Sequence, residues 1–377
     1  MNPVFSEEVE RFRAEVRAFL ADWRDLDAYF LQGHRWERVK GLFRAMGERG
    51  WLSLTWPEAW GGLGLPISYE YVLWDEVARV RAARNPLGPG IVAKTILRYG
   101  TDAQRRRWLP PIRRGDAHFS LGYSEPEAGS DLASLRCRAE RDGPGEGAGY
   151  VVTGQKCWQS YAQDMDHLWL LVRTGSQESR GAGLTLLIVD LDAPGVSVGA
   201  LPTLDGDQLN EIHLDGVRVA ADRRVGPENG AWRIMAEALA DERHIQFPPG
   251  RIQRDLEEVT AWLRGRGLGA DPHVRHQLAD LAVRALEVEL HALRVLDAMQ
   301  KRRPGVVEAA ASKIAHTHAS QEIARLAFDW GGPESLCVGS RAQTLWLQSL
   351  WETIGGGTSE IMRGIVARQG LGLGGKR

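Results

Sequence analysis

Residues 123–131 read YSEPEAGSD and stand where the character of the sequence changes. Before this stretch, apolar residues such as Phe5, Val9 and Phe12 recur at three- and four-residue steps, the pattern of an amphipathic helix. After it come short alternating or β-branched segments separated by Gly, Pro and Asp, which are typical of strands and turns. The strand-like segments are 150–153, 167–173, 184–190 and 211–214. The stretch therefore marks the boundary between a helical region and a β region.

Working outward from this boundary, the sequence divides into three predicted domains. Residues 1–116 are predicted to be helical, with Ser6 as the N-cap of the first helix. Residues 117–225 carry the strand-like segments, and the helical period returns in 226–377. Within this last region, the Leu and Val residues of 278–296 predict a long helix buried against its neighbours. The sequence thus predicts an α+β protein in the order helices, sheet, helices.

The whole-chain composition excludes several classes of protein. A net charge of −2 and a pI near 6.6 argue against a nucleic-acid or anionic-membrane partner. The three cysteines have no CxxC spacing, which argues against a zinc site and a disulfide framework and favours the cytoplasm. The N-terminus has no secretory pattern, and no stretch of 18 apolar residues predicts a membrane span.

Three motifs carry a resemblance to a known family. Residues 123–131 closely resemble the TEPxAGSD signature of acyl-CoA dehydrogenases. Residues 150–160, YVVTGQKCWQS, resemble the second family motif, GxKxW, and 354–363, IGGGTSEIMR, resemble the C-terminal GGTSEIxR. Because all three occur in the family's order, the chain is identified as a member of the acyl-CoA dehydrogenase family. It most resembles a bacterial subgroup that handles bulky or branched acyl-CoAs, including steroid side chains.

This resemblance implies a fold, an activity and partners. The expected fold has an N-terminal helical domain, a central β-barrel domain and a C-terminal four-helix bundle. The expected activity is the FAD-dependent conversion of an acyl-CoA to its trans-2-enoyl form, with an electron-transfer flavoprotein as the electron acceptor. The expected assembly is a homotetramer, or a heterotetramer with a paralogous subunit.

The resemblance also implies where FAD and the coenzyme A portion bind. In the family, the residue matching Ser124 bonds the flavin ring, the Trp matching Trp158 covers one ring face, and the residue matching Ser160 reaches the N5 side. The full set of positions implied to bind FAD is Leu121, Tyr123, Ser124, Trp158, Ser160, Gly331, Gly332, Gly356, Thr358 and Glu360. Gly331 and Gly332 have an equal alternative as a plain helix C-cap. Ser130, Arg243 and Gly356 match positions on the acyl-CoA.

The catalytic base is the main departure from the family pattern. Many relatives place the catalytic Glu directly before Gly-Thr-Ser, where this chain has Gly356. A second carboxylate is offered by residues 239–243, LADER, which resemble the LxxER segment that carries the base in other branches. Glu242 falls on that position. The alternatives are Asp241 as the base, no base at all, and an Asp-Glu-Arg run that forms only a solvated charged face of its helix. The N–H of Gly356 remains able to donate to the thioester carbonyl.

One further departure and the heteromeric relatives leave alternatives open. The family's Arg-x-x-Phe-Gly motif is absent, and residues 264–272 are Gly-rich instead, so that Arg264, Arg266 or Arg275 would have to contact FAD across a dimer. In heteromeric relatives one subunit lacks the base or part of the FAD site. The alternatives are therefore a non-catalytic partner subunit, or the same fold acting on an acyl group bound to a carrier protein.

Overall fold

The computed structural model describes residues 5–30, 32–145, 147–303 and 305–374. The helices are α1 Glu7–Leu20, α2 Trp36–Glu48, α3 Ile67–Arg79, α4 Ala93–Tyr99, α5 Asp102–Arg114, α6 Ala231–Asp241, α7 Arg243–Gln246, α8 Pro249–Gly265, α9 Pro272–Gln300, α10 Val306–Trp330, α11 Arg341–Glu352 and α12 Ser359–Ile365. The strands are β1 Phe119–Gly122, β2 Arg138–Arg141, β3 Tyr150–Ser160, β4 His167–Arg173, β5 Leu184–Asp190, β6 Val196–Pro202 and β7 Gln208–Val219. The predicted α+β class, with helices before and after the strands, is confirmed.

Several predicted elements match the observed ones. The side chain of Ser6 accepts a hydrogen bond from the backbone N–H of Val9, so Ser6 is the N-cap of α1. Strands β4 and β5 coincide with the strand-like segments 167–173 and 184–190. Strand β3 runs much further than the short segment 150–153, since it continues through Gly154 to Ser160 with two register shifts against β7.

The seven strands form one mixed sheet. Strand β4 pairs in parallel with β1 and, at a single position, with β2, and it pairs antiparallel with β5. Strand β3 lies between β2 and β7, and β6 follows at the edge, all three pairings being antiparallel. Apolar side chains from β3, β4, β5 and β7 fill one core, which includes Val152, Leu170 and Ile212. This arrangement places the end of β1 and the middle of β3 close to each other.

The chain forms two compact units that cross the predicted domain boundaries. The first consists of residues 1–30, 66–84 and 243–377, and the second of 31–65 and 85–242. The second unit holds the whole sheet together with α2, α4, α5 and α6. The division of the sequence into 1–116, 117–225 and 226–377 remains a prediction.

In the first unit, α10 packs against α8, α9 and α11, which together form the helical bundle that the resemblance implies. Several ionic side chains are buried here: the guanidinium group of Arg251 forms ion pairs with Asp255 and Glu352. No helix in the described ranges is long and apolar enough to cross a membrane.

The prediction that the Leu and Val residues of 278–296 lie on a helix buried against its neighbours is confirmed for some of these residues and wrong for others. Leu281 and Val288 are buried, whereas Val283 and Leu286 are 64% and 54% exposed. The 29-residue helix is amphipathic over its length, but some of its outer positions also carry Leu or Val. The number of Leu and Val residues on α9 therefore overestimates how much of the helix surface is buried within this chain.

Candidate active site

The signature segment after β1 is fixed by a buried lysine of β3. Lys156 donates through Nζ to the carbonyl oxygen of Tyr123 at 3.1 Å and to Oε1 of Glu125 at 2.8 Å. The Glu125 carboxylate also accepts the backbone N–H groups of Arg136 and Cys137 at 2.7 and 2.9 Å. These hydrogen bonds join the two family motifs in one buried polar network.

Trp158 is held in an uncommon backbone conformation at the centre of this element. Its φ is +72°, a left-handed value that a bulky residue rarely adopts, and it lies where a register shift separates Cys157 from Gln159 in the pairing with β7. Its side chain is 56% exposed. Trp158 is therefore not a core residue of this unit, and the bulge presents an indole face at its surface.

Hydroxyl groups accompany the exposed indole. Ser124 is half-buried, and its carbonyl oxygen accepts from the backbone N–H of Cys157 at 3.0 Å, which brings the serine beside the bulge. Ser160 is exposed at the end of β3, and Leu121 is half-buried in β1. An aromatic face with hydroxyl donors beside it suits a flat, electron-rich ring that stacks and accepts hydrogen bonds. These residues fit a flavin.

Glu242 is buried in the same unit, at the end of α6, with 4% of its surface exposed. Its Oε1 atom accepts a hydrogen bond of 2.9 Å from Nδ2 of Asn85. Gly90 also approaches this oxygen, so closely that a Cβ atom at position 90 would lie 2.5 Å from it. The alternative of a solvated charged face is thus excluded for Glu242. The side chain of the alternative, Asp241, lies outside the described residues.

Tyr123 of the signature segment is buried and keeps its proton. Burial raises the pKa of its hydroxyl above the ordinary value, the neighbouring Trp169 indole lowers it, and the charge of Glu242 raises it. A negative charge on this hydroxyl is thus disfavoured both by burial and by the Glu242 carboxylate.

The C-terminal motif lies in the other unit and forms a glycine turn. Gly356 and Gly357 have φ values of +69° and +93°, and the turn from 355 to 357 leads into α12. Thr358 is the N-cap of α12, where its hydroxyl oxygen accepts the N–H of Ile361 at 3.2 Å. Glu360 is exposed in the first turn, where its own backbone N–H and the Thr358 side chain lower its pKa.

The other predicted binding residues of the first unit occupy helix ends. Gly331 is the C-cap of α10, and Gly332 follows with φ +63°. Both glycines therefore end the helix, as the alternative of a plain helix C-cap predicted. Arg243 begins α7 and donates to the side chain of Gln246 at 3.3 Å. Arg266 forms an ion pair with Glu334.

Ser130, a residue of the second unit, is exposed in a turn of the signature segment. Among the described residues, no group of three or more His, Cys, Asp or Glu side chains is arranged to hold a metal ion.

Sequence reasoning missed four residues of the site. Asn85 and Gly90 lie in the segment NPLGPG, which carries no motif and whose distance to Glu242 depends entirely on the fold. The Lys156–Glu125 ion pair was accessible in principle, because both residues stand inside the recognised motifs. Their presence together was the signal, since a lysine and a glutamate within strand-rich motifs need partners when buried.

Comparison with known proteins agrees with this geometry. Family models for the N-terminal, middle and C-terminal domains of acyl-CoA dehydrogenases match residues 6–116, 120–217 and 229–371. The chain is 35% identical over 350 residues to acyl-CoA dehydrogenase FadE26 of Mycobacterium tuberculosis, a match that covers 87% of this chain and 86% of the relative. It is 32% identical to acyl-CoA dehydrogenase IpdE1 of Mycolicibacterium smegmatis, with 97% and 98% covered.

Two solved structures share the fold over their full length. One is the Tcur3481-Tcur3483 steroid ACAD, with a TM-score of 0.90, 31% identity and 100% of both chains covered. The other is the ChsE4-ChsE5 complex from Mycobacterium tuberculosis, with a TM-score of 0.88, 33% identity and the same coverage. The three domain matches and these relatives show that the chain belongs to the acyl-CoA dehydrogenase family, and it is an oxidoreductase that acts on acyl-CoA.

Proposed function

We propose that the chain catalyses the FAD-dependent α,β-dehydrogenation of an acyl-CoA thioester to the trans-2-enoyl-CoA, with Glu242 as the base. The observation that supports this most is the burial of the Glu242 carboxylate beside Asn85, in the unit that also carries Ser124 and Trp158. Buried carboxylates are rare unless they are paired or have a function, because their desolvation is costly. Glu242 combines burial with the position of the base in the LxxER motif.

The reaction removes a proton from Cα and a hydride from Cβ. Glu242 takes the proton, so that the electron pair of the Cα–H bond forms the new double bond. No amino-acid side chain accepts a hydride, and FAD supplies that acceptor when it is bound. The burial of Glu242 keeps bulk water from competing for its carboxylate.

The remaining binding roles follow from the family positions. Ser124, Ser160, Leu121 and Tyr123 are proposed to surround the flavin ring, with Trp158 against its face. Gly331, Gly332, Thr358 and Glu360 are proposed to bind the phosphate and adenosine portions of FAD. Ser130 and Arg243 would bind the coenzyme A portion, and the N–H of Gly356 would donate to the thioester carbonyl.

The substrate class and partners are proposed from the relatives. One full-length structural relative is named a steroid ACAD, which supports a bulky acyl group. Electrons would pass to an electron-transfer flavoprotein. Both full-length structural relatives carry two protein names, which supports a heteromeric assembly with a paralogous subunit over a homotetramer. The second candidate function is that of a non-catalytic partner subunit. It is supported by the same observation, that both structural relatives carry two protein names.

The deciding test begins with the protein purified alone and its visible spectrum. Saturated acyl-CoAs of increasing bulk, including a steroid-side-chain thioester, are then added without oxygen to wild type, Glu242→Gln and Glu237→Gln. Glu237 is the matched control, because it lies on the same helix and pairs at the surface with Arg98.

Yellow protein that bleaches in wild type and in Glu237→Gln, but at least about 1000-fold more slowly in Glu242→Gln, is the expected result. Colourless protein that gains flavin and activity only with a co-expressed subunit would favour the non-catalytic role. Flavin that bleaches equally fast in all three proteins would exclude Glu242 as the base.

A further inference from the structure

We infer that Asn85 and Gly90, the latter within the π-helical turn Gly88–Val92, are the positioning residues of the reaction: together they hold the Glu242 carboxylate where it can take the α-proton. This inference rests on the proposed function. It assigns a role to a segment that lies outside the three family motifs.

Asn85 reaches Glu242 from a distant part of the sequence. Its side-chain amide donates to Oε1 at 2.9 Å, and the two residues are 157 positions apart. A neutral amide fixes the direction of the carboxylate without placing a full positive charge beside it. An Arg or Lys at this position would stabilise the ionised form much more strongly and would make the carboxylate a weaker base. The donor found here therefore suits a group that must be oriented and still accept a proton.

The turn from Gly88 to Val92 forms a close-fitting wall at the same oxygen. A Cβ atom at position 90 would lie 2.5 Å from Oε1 and 3.2 Å from Cδ of Glu242, closer than side chains tolerate. The Glu242 carboxylate can therefore occupy its observed position only when residue 90 is glycine. The neighbouring glycine differs, because a Cβ atom at Gly88 would meet Ile112 and Ala117 and not Glu242.

The turn itself is irregular and firmly held. The N–H of Val92 bonds to the carbonyl oxygen of Leu87 at 3.0 Å, a five-residue step that widens the helix by one residue. The carbonyl oxygen of Pro89 accepts from the indole of Trp56 at 3.3 Å. All five residues of the turn are buried. Single π-turns of this kind occur mostly at functional sites, and this one moves position 90 against the proposed base.

The test compares four proteins with wild type: Asn85→Ala, Asn85→Ser, Gly90→Ala and Gly88→Ala, the last being the matched control. Flavin content and thermal unfolding check the fold of each. The rate of flavin bleaching is measured with an acyl-CoA substrate and with its α-deuterated form. Exchange of the substrate's α-hydrogens with D₂O, followed by NMR, reports proton transfer separately from flavin reduction.

The expected result is a loss of about tenfold or more in bleaching rate and in α-hydrogen exchange for Asn85→Ala and Gly90→Ala. Their α-deuterium isotope effect should rise, while KM and flavin content stay near wild type. Asn85→Ser, which keeps a donor, should recover part of the rate, and Gly88→Ala should keep bleaching and exchange within about twofold of wild type.

Three outcomes would overturn the inference. The first is wild-type exchange and bleaching in Asn85→Ala and Gly90→Ala, in a protein whose Glu242→Gln variant is inactive. The second is an equal loss in Gly88→Ala and Gly90→Ala, which would indicate general damage to the turn. The third is a wild-type protein whose flavin is bleached by none of the thioesters added. This result would overturn the proposed function and this inference with it.

Discussion

The Nζ atom of Lys156 lies 2.8 Å from Oε1 of Glu125, and this ion pair is buried in the unit that carries the sheet. Removing one partner of a buried pair leaves the other charge uncompensated, at a cost of about 3–5 kcal/mol. We therefore expect Lys156→Met to lower the free energy of unfolding by about 3 kcal/mol and to reduce flavin retention. Urea unfolding of the flavin-free protein and the visible spectrum measure the two effects.

The control for this pair lies in the same segment. Glu127 forms an ion pair of 3.1 Å with Arg136, but both side chains are about three-quarters exposed. Glu127→Gln should change the free energy of unfolding by less than about 1 kcal/mol. Equal effects of Lys156→Met and Glu127→Gln would contradict a special role for the buried pair.

Substitutions of Trp158 should have different effects on the stability of the protein and on its affinity for flavin. Its left-handed φ of +72° costs about 1–3 kcal/mol for a non-glycine residue. Trp158→Gly removes this strain together with the exposed indole, so we expect unchanged or higher stability but at least a tenfold loss in flavin affinity. Trp158→Phe keeps an aromatic face and should bind flavin with intermediate affinity. Flavin titration and urea unfolding of both variants give the comparison.

Another exposed tryptophan of this unit provides the control. Trp232 on α6 is 40% exposed and packs over Gly181. Trp232→Ala should lower stability without changing flavin affinity. If Trp158→Gly kept full flavin affinity, the indole would have no part in holding the ring.

The glycine turn before α12 should tolerate a methyl group at one position and reject it at the next. Gly356 has φ +69°, which favours glycine, whereas a Cβ atom at Gly355 would make only ordinary contact, 3.4 Å from the Trp351 ring. Gly356→Ala should therefore lower the free energy of unfolding by about 1 kcal/mol, and Gly355→Ala should change it by less than about 0.5 kcal/mol. Identical unfolding curves for the two variants would contradict this reading of the turn.

The sequence predicted the fold and part of the site for different reasons. Local patterns sufficed for α1, whose cap and apolar stripe are encoded within a few residues, and for β4 and β5, which are continuous apolar strands. They did not suffice for β3, because nothing local in residues 154–160 reveals that a bulge at Trp158 lets the strand continue.

In the site, too, the sequence predicted the residue that lies in a motif and missed the residues that only the fold brings to it. Glu242 was predicted from a five-residue motif, and its burial agrees with a role beyond a solvated surface. Its contacts with Asn85 and Gly90 were not predicted, because they join segments about 150 residues apart and depend on the packing of α6 against the π-turn. Motifs identify residues whose chemistry is shared by a family, whereas the residues that hold them in place are determined by tertiary structure.

His118 should give the protein a defined loss of stability in weak acid. Its imidazole packs edge-on against Trp36, with the ring centroids 4.8 Å apart, and it is 6% exposed. Burial lowers its pKa from 6.5 to about 4, with Asp166 opposing the shift. Because the folded state binds this proton less readily than the unfolded state, the stability contribution is complete above pH 6.5 and is lost as the pH falls towards 4.

Replacing the imidazole by a ring that cannot titrate should remove this pH dependence. We expect wild type to lose about 3 kcal/mol between pH 6.5 and 4 through His118, and His118→Phe to lose less by about that amount. Urea unfolding at half-unit pH steps measures the difference. His213→Phe is the control, since the side chain of His213 is half exposed and lies near Glu211 at the surface. Parallel pH profiles for wild type and His118→Phe would mean that His118 is protonated in the folded state, and that its burial against Trp36 does not disfavour the charge.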